Sequence, residues 1–166
     1  MKIVYFIRHA KSSWSDSSLR DHDRPLNKRG KRDAPFMAAK LKELGANPGA
    51  IITSTALRAK ITARHFAHSF DLSGKRFVEE PGIYEAYSTN ILKIVRRTPN
   101  KWDTILVFGH NPGFTMVANS FEGGEDIDNV PTCGIVKVVA QVDDWKDFKF
   151  GKGSVAEFHY PKQYFT

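Results

Sequence analysis

Short apolar runs, separated by more polar segments, predict a series of short strands along this chain. Residues 2–8, 50–53 and 104–108 are short apolar runs rich in β-branched and aromatic residues, the pattern of buried strands. Three further strands are predicted over residues 77–79, 134–142 and 155–160. Residues 10–27 are rich in Ser, Asp and Arg and predict a loop.

Helical periodicity occupies the segments between these strands. One helix is predicted from about Lys28, with Asn27 as its cap and Gly45 after its last turn, because apolar residues recur at helical spacing between them. A second is predicted from an N-cap pair, Ser54 and Thr55, to about Phe70. A third covers residues 89–98, and a fourth begins with Pro112 at its first position. Strands alternating with helices predict one α/β domain over residues 1–166, a three-layer α/β/α sandwich with a mostly parallel central sheet.

Composition narrows the class of protein. The chain has 166 residues, of which 41% are hydrophobic, as in ordinary globular proteins. Cys133 is the only cysteine, which excludes an intrachain disulfide and a four-cysteine metal site. No apolar run is long enough to span a membrane, and the apolar start ends at Arg8, too early for a signal peptide. We therefore expect a cytoplasmic protein without membrane contact.

The net charge of +7 is unevenly distributed. Residues 1–50 contain eleven Lys and Arg against five Asp and Glu, whereas residues 101–166 contain six against nine. A basic N-terminal part suits a phosphorylated molecule, an acidic protein or a nucleic acid, and equally a solubilising surface. No nucleic-acid-binding motif accompanies the charge, so we expect no nucleic-acid partner.

Basic side chains follow three of the predicted strands. Arg8 and His9 end the first strand, Arg58 follows the second, and His110 follows the strand over residues 104–108. In open α/β sheets the carboxyl ends of parallel strands meet at one edge, so these four side chains are expected to converge. The sequence suggests no carboxylate that would neutralise them. Guanidinium groups match phosphate oxygens and a neutral imidazole can attack phosphorus, which together predict a phosphoryl-transfer site.

Four motifs then identify a resemblance. In order they are RHAKS at residues 8–12, DHDRPLNKRG at 21–30, STALRAKITA at 54–63 and GHNPG at 109–113. Together they resemble the histidine phosphatase superfamily, whose fold is phosphoglycerate mutase-like, and more specifically its short phosphohistidine phosphatase (SixA-type) branch. The resemblance covers residues 3 to about 140.

The resemblance implies roles for these residues. His9 is expected to be the nucleophile, with Arg8, Arg58 and His110 holding the phosphoryl oxygens. No metal or other cofactor is needed, because basic side chains supply the positive charge. Glu85, in the middle of the chain, is the candidate proton donor for the leaving group, with a solvated surface carboxylate as the alternative.

Further substrate contacts are candidates only. Arg24 could reach a phosphate or remain a surface arginine, and Lys11 and Ser12 could add donors at the rim. Asn111 is expected mainly to cap the fourth helix, with substrate contact as its second role.

The length of the chain bears on the substrate. Only about 45 residues separate Arg58 from the strand at residue 104, too few for the long lid segments of larger relatives. An open site favours phosphohistidine on a protein. The alternatives are a phosphatase of a small phosphorylated metabolite and a phosphate-binding module without turnover. The charged helix faces suggest a monomer.

Overall fold

Six strands and four helices form the framework in a computed structural model that describes residues 1–123 and 126–165. The strands are β1 (Lys2–Arg8), β2 (Ala50–Thr53), β3 (Phe77–Glu79), β4 (Thr104–Gly109), β5 (Ile135–Ala140) and β6 (Gly153–His159). The helices are α1 (Lys28–Glu43), α2 (Leu57–Phe70), α3 (Ser88–Arg96) and α4 (Gly113–Ser120).

The strands build one mixed sheet in the order β3-β2-β4-β1-β5-β6. The pairs β2–β3, β2–β4 and β1–β4 are parallel, whereas β5 runs antiparallel to both β1 and β6. The parallel part contains the strands that carry the predicted chemistry. The predicted α/β sandwich with a mostly parallel sheet is confirmed.

Helices cover both faces of the sheet. Successive side chains of a strand point to opposite faces, so apolar residues of one strand can pack on both sides. Val4 and Phe6 of β1 belong to the apolar cluster that contains the buried residues of α3 and α4. Tyr5 and Ile7 point to the opposite face and pack with buried residues of α1 and α2. This period of two produces the three layers that the sequence predicts.

The helix ends show where local rules held and where they did not. Asn27 caps α1 by accepting a hydrogen bond from the Gly30 amide at 2.9 Å, as predicted. The prediction of Ser54 and Thr55 as an N-cap pair was wrong: α2 begins at Leu57, and Ala56 holds the cap position without a side-chain bond. Pro112 precedes α4 by one residue instead of opening it.

The carboxyl ends of β1, β2 and β4 lie side by side. In the register of the sheet Arg8 is opposite Gly109, and Thr53 is opposite Phe108. The segments that leave these strands therefore start from one edge, which is where ligands bind in open α/β sheets. No helix within the described residues has both the length and the apolar character needed to cross a membrane.

Candidate active site

The four basic residues predicted to converge do meet at this edge of the sheet. The His9 amide donates to the Gly109 carbonyl at 3.0 Å, which joins the end of β1 to the end of β4. The imidazole rings of His9 and His110 are 5.2 Å apart between centroids. His9, Arg58 and His110 are buried and Arg8 is half-buried. The site is therefore a recess in the protein rather than a set of surface side chains.

Helix α2 supports the nucleophile loop through Thr62. The Thr62 hydroxyl accepts from the Ala10 amide at 3.0 Å and donates to the Arg58 carbonyl at 2.8 Å. The loop after His9 is thus tied to the helix that carries Arg58. Thr62 belongs to the third motif, but its role depends on a contact across 52 residues that the sequence does not reveal.

His9 is held in one tautomer. Its Nδ1 lies 2.7 Å from the Ala10 carbonyl oxygen, which can only accept, so Nδ1 carries the proton. Burial lowers the pKa of His9 well below its usual range, although the hydrogen bond to Ala10 acts in the opposite direction. The ring is consequently neutral at physiological pH, and Nε2 keeps the lone pair that a nucleophile needs.

His110 is neutral for a similar reason. Burial, and then the positive charge of Arg58, lower the pKa of His110 to about 3. Its Nε2 is 2.7 Å from Ser54 Oγ, and this oxygen accepts from the Ala56 amide at 3.2 Å. A Ser54 hydroxyl that donates to Nε2 leaves the proton of the neutral ring on Nδ1. Ser54 therefore serves the site instead of capping α2 in the predicted way.

Three buried nitrogen atoms at the site have no hydrogen-bond partner within the described residues. They are Nε of Arg8, Nε of Arg58 and Nδ1 of His110, and the one other such side-chain atom is Thr98 Oγ1. Leaving a buried polar group unpaired costs about 1–3 kcal/mol. Native proteins rarely leave such groups unpaired without a reason, so this cluster indicates a site for an anion.

The arginines are oriented through their remaining nitrogens. Arg8 Nη1 donates to the Val130 carbonyl at 2.9 Å. Arg58 donates from Nη1 to the Asp21 carbonyl at 2.7 Å and from Nη2 to the Asp21 carboxylate at 3.0 Å. Burial and the charge of Arg58 lower the pKa of Arg8 from its usual value.

Asp21 corrects the prediction that no carboxylate neutralises the basic cluster. Its side chain accepts from Arg58, from Arg24 and from the Tyr84 hydroxyl, the last at 2.6 Å. Burial opposes ionisation, but the hydrogen bonds from Tyr84 and Arg58 outweigh it and lower the pKa of Asp21 to about 2. A carboxyl this acidic stays ionised and makes a poor proton donor near neutral pH.

Arg24 contacts the Asp21 carboxylate, and Ser12 contacts Arg24. Arg24 is buried and donates to the Ser12 hydroxyl at 2.8 Å, to the Ser13 carbonyl at 3.2 Å and to Asp21 Oδ1. The indole ring of Trp14 stacks on its guanidinium group, 3.4 Å from Cζ to the ring centroid. The donors of Arg24 are used within the protein, so its predicted contact with substrate stays a prediction, as does that of Ser12.

Glu85 lies at the margin of the site beside Tyr84. The Tyr84 ring is 5.5 Å from that of His110, and burial together with the bond to Asp21 raises the pKa of Tyr84 to about 12. Glu85 is exposed, and its φ of 58° is in the left-handed region, which is uncommon outside glycine. Its side chain makes no hydrogen bond within the described residues, so the carboxylate faces the solvent. Its role as proton donor stays a prediction.

Asn111 and Lys11 are the remaining candidates for substrate contact. Asn111 Oδ1 accepts from the Thr115 amide in the first turn of α4 at 3.2 Å, although Pro112 and not Asn111 holds the cap position, and its Nδ2 donates to the Val130 carbonyl. It thereby fixes the carbonyl that orients Arg8. Lys11 is half-buried next to Arg8, and its contact with substrate is untested. No group of three or more metal-ligating side chains lies together in the part of the chain that the structure describes.

Sequence similarity links this chain to a known protein family and to a mycobacterial relative. Residues 4–88 match the model of the histidine phosphatase superfamily (branch 1). An uncharacterised protein of Mycobacterium tuberculosis is 31% identical over 165 residues, covering 94% of this chain and 100% of that protein.

Solved structures share the fold along the full length. A protein from Agrobacterium tumefaciens that is assigned as the phosphohistidine phosphatase SixA has 25% identity and a TM-score of 0.80, covering 96% of this chain and 98% of that one. The protein histidine phosphatase SixA in complex with tungstate has 20% identity and a TM-score of 0.80, covering 97% and 98%. The resemblance predicted from the four motifs is confirmed, and the chain belongs to the histidine phosphatase superfamily (branch 1).

Proposed function

We propose that this protein is a phosphatase that removes the phosphoryl group from phosphohistidine on another protein, through a covalent intermediate on His9. The observation that carries the proposal is the cluster of unpaired buried nitrogens on Arg8, Arg58 and His110 beside the neutral ring of His9. Donors held in place before the reaction stabilise the charge of a transferring phosphoryl group without reorganising.

The first step transfers the phosphoryl group to His9. The lone pair on Nε2 attacks phosphorus, the bond from phosphorus to the substrate nitrogen breaks, and the leaving imidazole takes up one proton. The Ala10 carbonyl holds the Nδ1 proton and stabilises the positive charge that develops on the His9 ring. Glu85 is the proposed source of the proton for the leaving group.

The second step is hydrolysis. A water oxygen attacks phosphorus, the bond to Nε2 breaks, and His9 leaves as a neutral imidazole that retains its Nδ1 proton. The water gives up one proton to the Glu85 carboxylate, which restores the starting state. The net reaction consumes phosphohistidine and water and yields histidine and phosphate.

The short segment between α2 and β4 supports a protein substrate. Buried residues of α3 pack into the core, and Tyr84 of this segment lies beside His110, so the segment gives the recess a rim rather than a long lid. A phosphoryl group displayed on a protein surface can approach such a site, whereas a small metabolite gains more from enclosure. A metabolite phosphatase would use the same four basic residues, and only substrate comparison separates the two.

The test measures phosphate release from three kinds of substrate under an acid-free quench. These are a phosphohistidine protein, a phosphoserine peptide and a panel of phosphorylated metabolites. We expect a preference for phosphohistidine, and we expect His9→Ala to lower turnover by at least about a thousandfold because the nucleophile is lost. The matched control is His68→Ala, an exposed histidine on α2 that should leave turnover intact.

Three other results of this experiment would change the proposed function. Preference for a metabolite would replace the substrate and keep the chemistry. Labelling of a residue other than His9 during turnover would overturn the mechanism. Absence of turnover by the wild type on every substrate would indicate a phosphate-binding module.

A further inference from the structure

A cleft of about 550 Å³ opens beside Arg8, and His9 is not among its lining residues. It lies between the first turns of α1, the loop at residues 129–132 and the segment at 160–165. We term it the basic cleft, and its charged lining residues are Arg8, Lys11, Arg29, Arg32, Asp33 and Lys162. Its volume falls within the range of about 300–1,000 Å³ that is usual for ligand sites.

Positive charge in the basic cleft is in excess. Asp33 is its only carboxylate among the described residues, is buried, and is committed to Arg32 with an oxygen-to-nitrogen distance of 2.8 Å. Arg29 is 4.0 Å from Asp33 and donates to the Thr132 hydroxyl at 3.3 Å. Lys11 and Lys162 have no carboxylate within 4.0 Å in the described part of the chain. The cleft therefore carries uncompensated charge that attracts an anionic partner.

The basic cleft is continuous with the phosphoryl site through Arg8. One Arg8 nitrogen, Nε, is among the unpaired atoms of the site, while the side chain also lines the cleft. Lys11 follows His9 by two residues and lines the same cleft. A substrate with its phosphoryl group at His9 can therefore extend into the cleft without leaving the protein surface.

The character of the cleft favours an acidic polypeptide over a compact second phosphate. Arg29, Arg32 and Lys162 are exposed, so they do not enclose a compact anion within the protein. Pro131, Tyr160 and Phe165 line the same cleft and add apolar surface. Exposed cations beside apolar surface complement a polypeptide segment with several carboxylates, and such charges act mainly on association and specificity.

We propose that the basic cleft binds an acidic segment of the phosphoprotein substrate next to its phosphohistidine. This inference rests on the proposed function for its catalytic readout. It adds that the protein selects phosphohistidine by the carboxylates that flank it.

The experiment uses two synthetic phosphohistidine peptides of the same length, one flanked by glutamates and one by glutamines. We expect wild-type kcat/KM to be about tenfold higher for the glutamate peptide at low salt, with the advantage lost at about 0.5 M NaCl. The double variant Arg29→Glu and Lys162→Glu should remove most of that preference. Its matched control, Lys75→Glu and Arg76→Glu, changes the same charge before β3, at the amino end of that strand, and should keep it. Thermal unfolding of both variants checks that each is folded.

A binding arm separates this inference from the proposed function. The unphosphorylated glutamate peptide, with a fluorescent label, should bind wild type and the Lys75/Arg76 variant but not the Arg29/Lys162 variant. Such binding supports the cleft even where no phosphohistidine peptide is cleaved. Equal cleavage of the two peptides, or equal binding by all three proteins, would overturn the proposal while leaving the chemistry of His9 untouched. Tighter binding of a single-stranded oligonucleotide of equal charge would also overturn it.

Discussion

Asp21 shows how much a single residue contributes to this site. Its backbone and carboxylate hold two nitrogens of Arg58, and the same carboxylate engages Arg24 and Tyr84. Arg58 is thereby oriented with its Nε unpaired. The residue acts through Arg58, so it positions the phosphate-binding group without itself touching the reacting atoms.

We expect Asp21→Asn to lower kcat/KM for p-nitrophenyl phosphate by about tenfold to a hundredfold, because a misplaced binding group loses transition-state contacts. We also expect a loss of about 1–3 kcal/mol in the free energy of unfolding, because buried Arg24 and Arg58 lose their charged acceptor. Steady-state kinetics and urea unfolding measure the two effects.

The control for this prediction is Asp23→Asn, in the same loop. Asp23 pairs with Arg20 at 2.9 Å on the surface, and such pairs contribute little. Equal effects of the two substitutions would show that Asp21 has no special role in orienting Arg58.

At the scale of elements, α4 closely approaches the segment that carries Glu85. Gly113 opens α4, and a Cβ added there would collide with the Ala86 carbonyl and come within 2.9 Å of Ile91 Cδ1. The helix thus approaches the chain next to Glu85 at a distance that only glycine permits.

Gly113→Ala is expected to reduce the free energy of unfolding by about 1–3 kcal/mol, the usual cost of forcing extra volume into a packed contact. Because the displaced segment adjoins Glu85, the rate with phosphomonoesters should fall as well. Gly151→Ala is the control, since a Cβ there meets nothing within 4 Å. Chemical unfolding that finds Gly113→Ala as stable as Gly151→Ala would contradict the packing argument.

At the scale of the whole molecule, the buried histidines couple stability to pH. Folding lowers the pKa of His9 and of His110, the latter to about 3, while an unfolded chain has a value near 6.5. The unfolded state therefore binds more protons below pH 6.5. By linkage, the free energy of unfolding is greatest above this pH and falls as the pH is lowered toward the folded values.

Urea unfolding in an anion-poor buffer should show this decline between pH 6.5 and 4, at up to about 1.4 kcal/mol per pH unit for each titrating histidine. His65, whose pKa is also lowered by burial and by His68, adds to the decline in the same direction. His110→Asn should flatten the slope because one of these groups is removed. A slope unchanged by that substitution would contradict a lowered pKa for His110.

Local sequence patterns predicted most strands and helices of this protein correctly. The strands at β1, β2 and β4 and the start of α1 lie where the sequence predicted them, because short apolar runs and a capping asparagine act through neighbouring residues. The N-cap of α2 was predicted wrongly because Ser54 bonds His110, a residue 56 positions away. The rule for helix caps uses only residues near the first turn, so it does not include a hydrogen bond to a distant residue such as His110.

The sequence by itself determined the fold class and the convergence of Arg8, His9, Arg58 and His110, because strand ends in a parallel sheet share one edge. Only the tertiary structure decided that Asp21 joins Arg58 across 37 residues and Tyr84 across 63, which corrected the prediction of a cluster without a carboxylate. It also decided the tautomer of His9 and the existence of the basic cleft. These features depend on the distances between segments that are remote in the chain, and packing alone sets those distances.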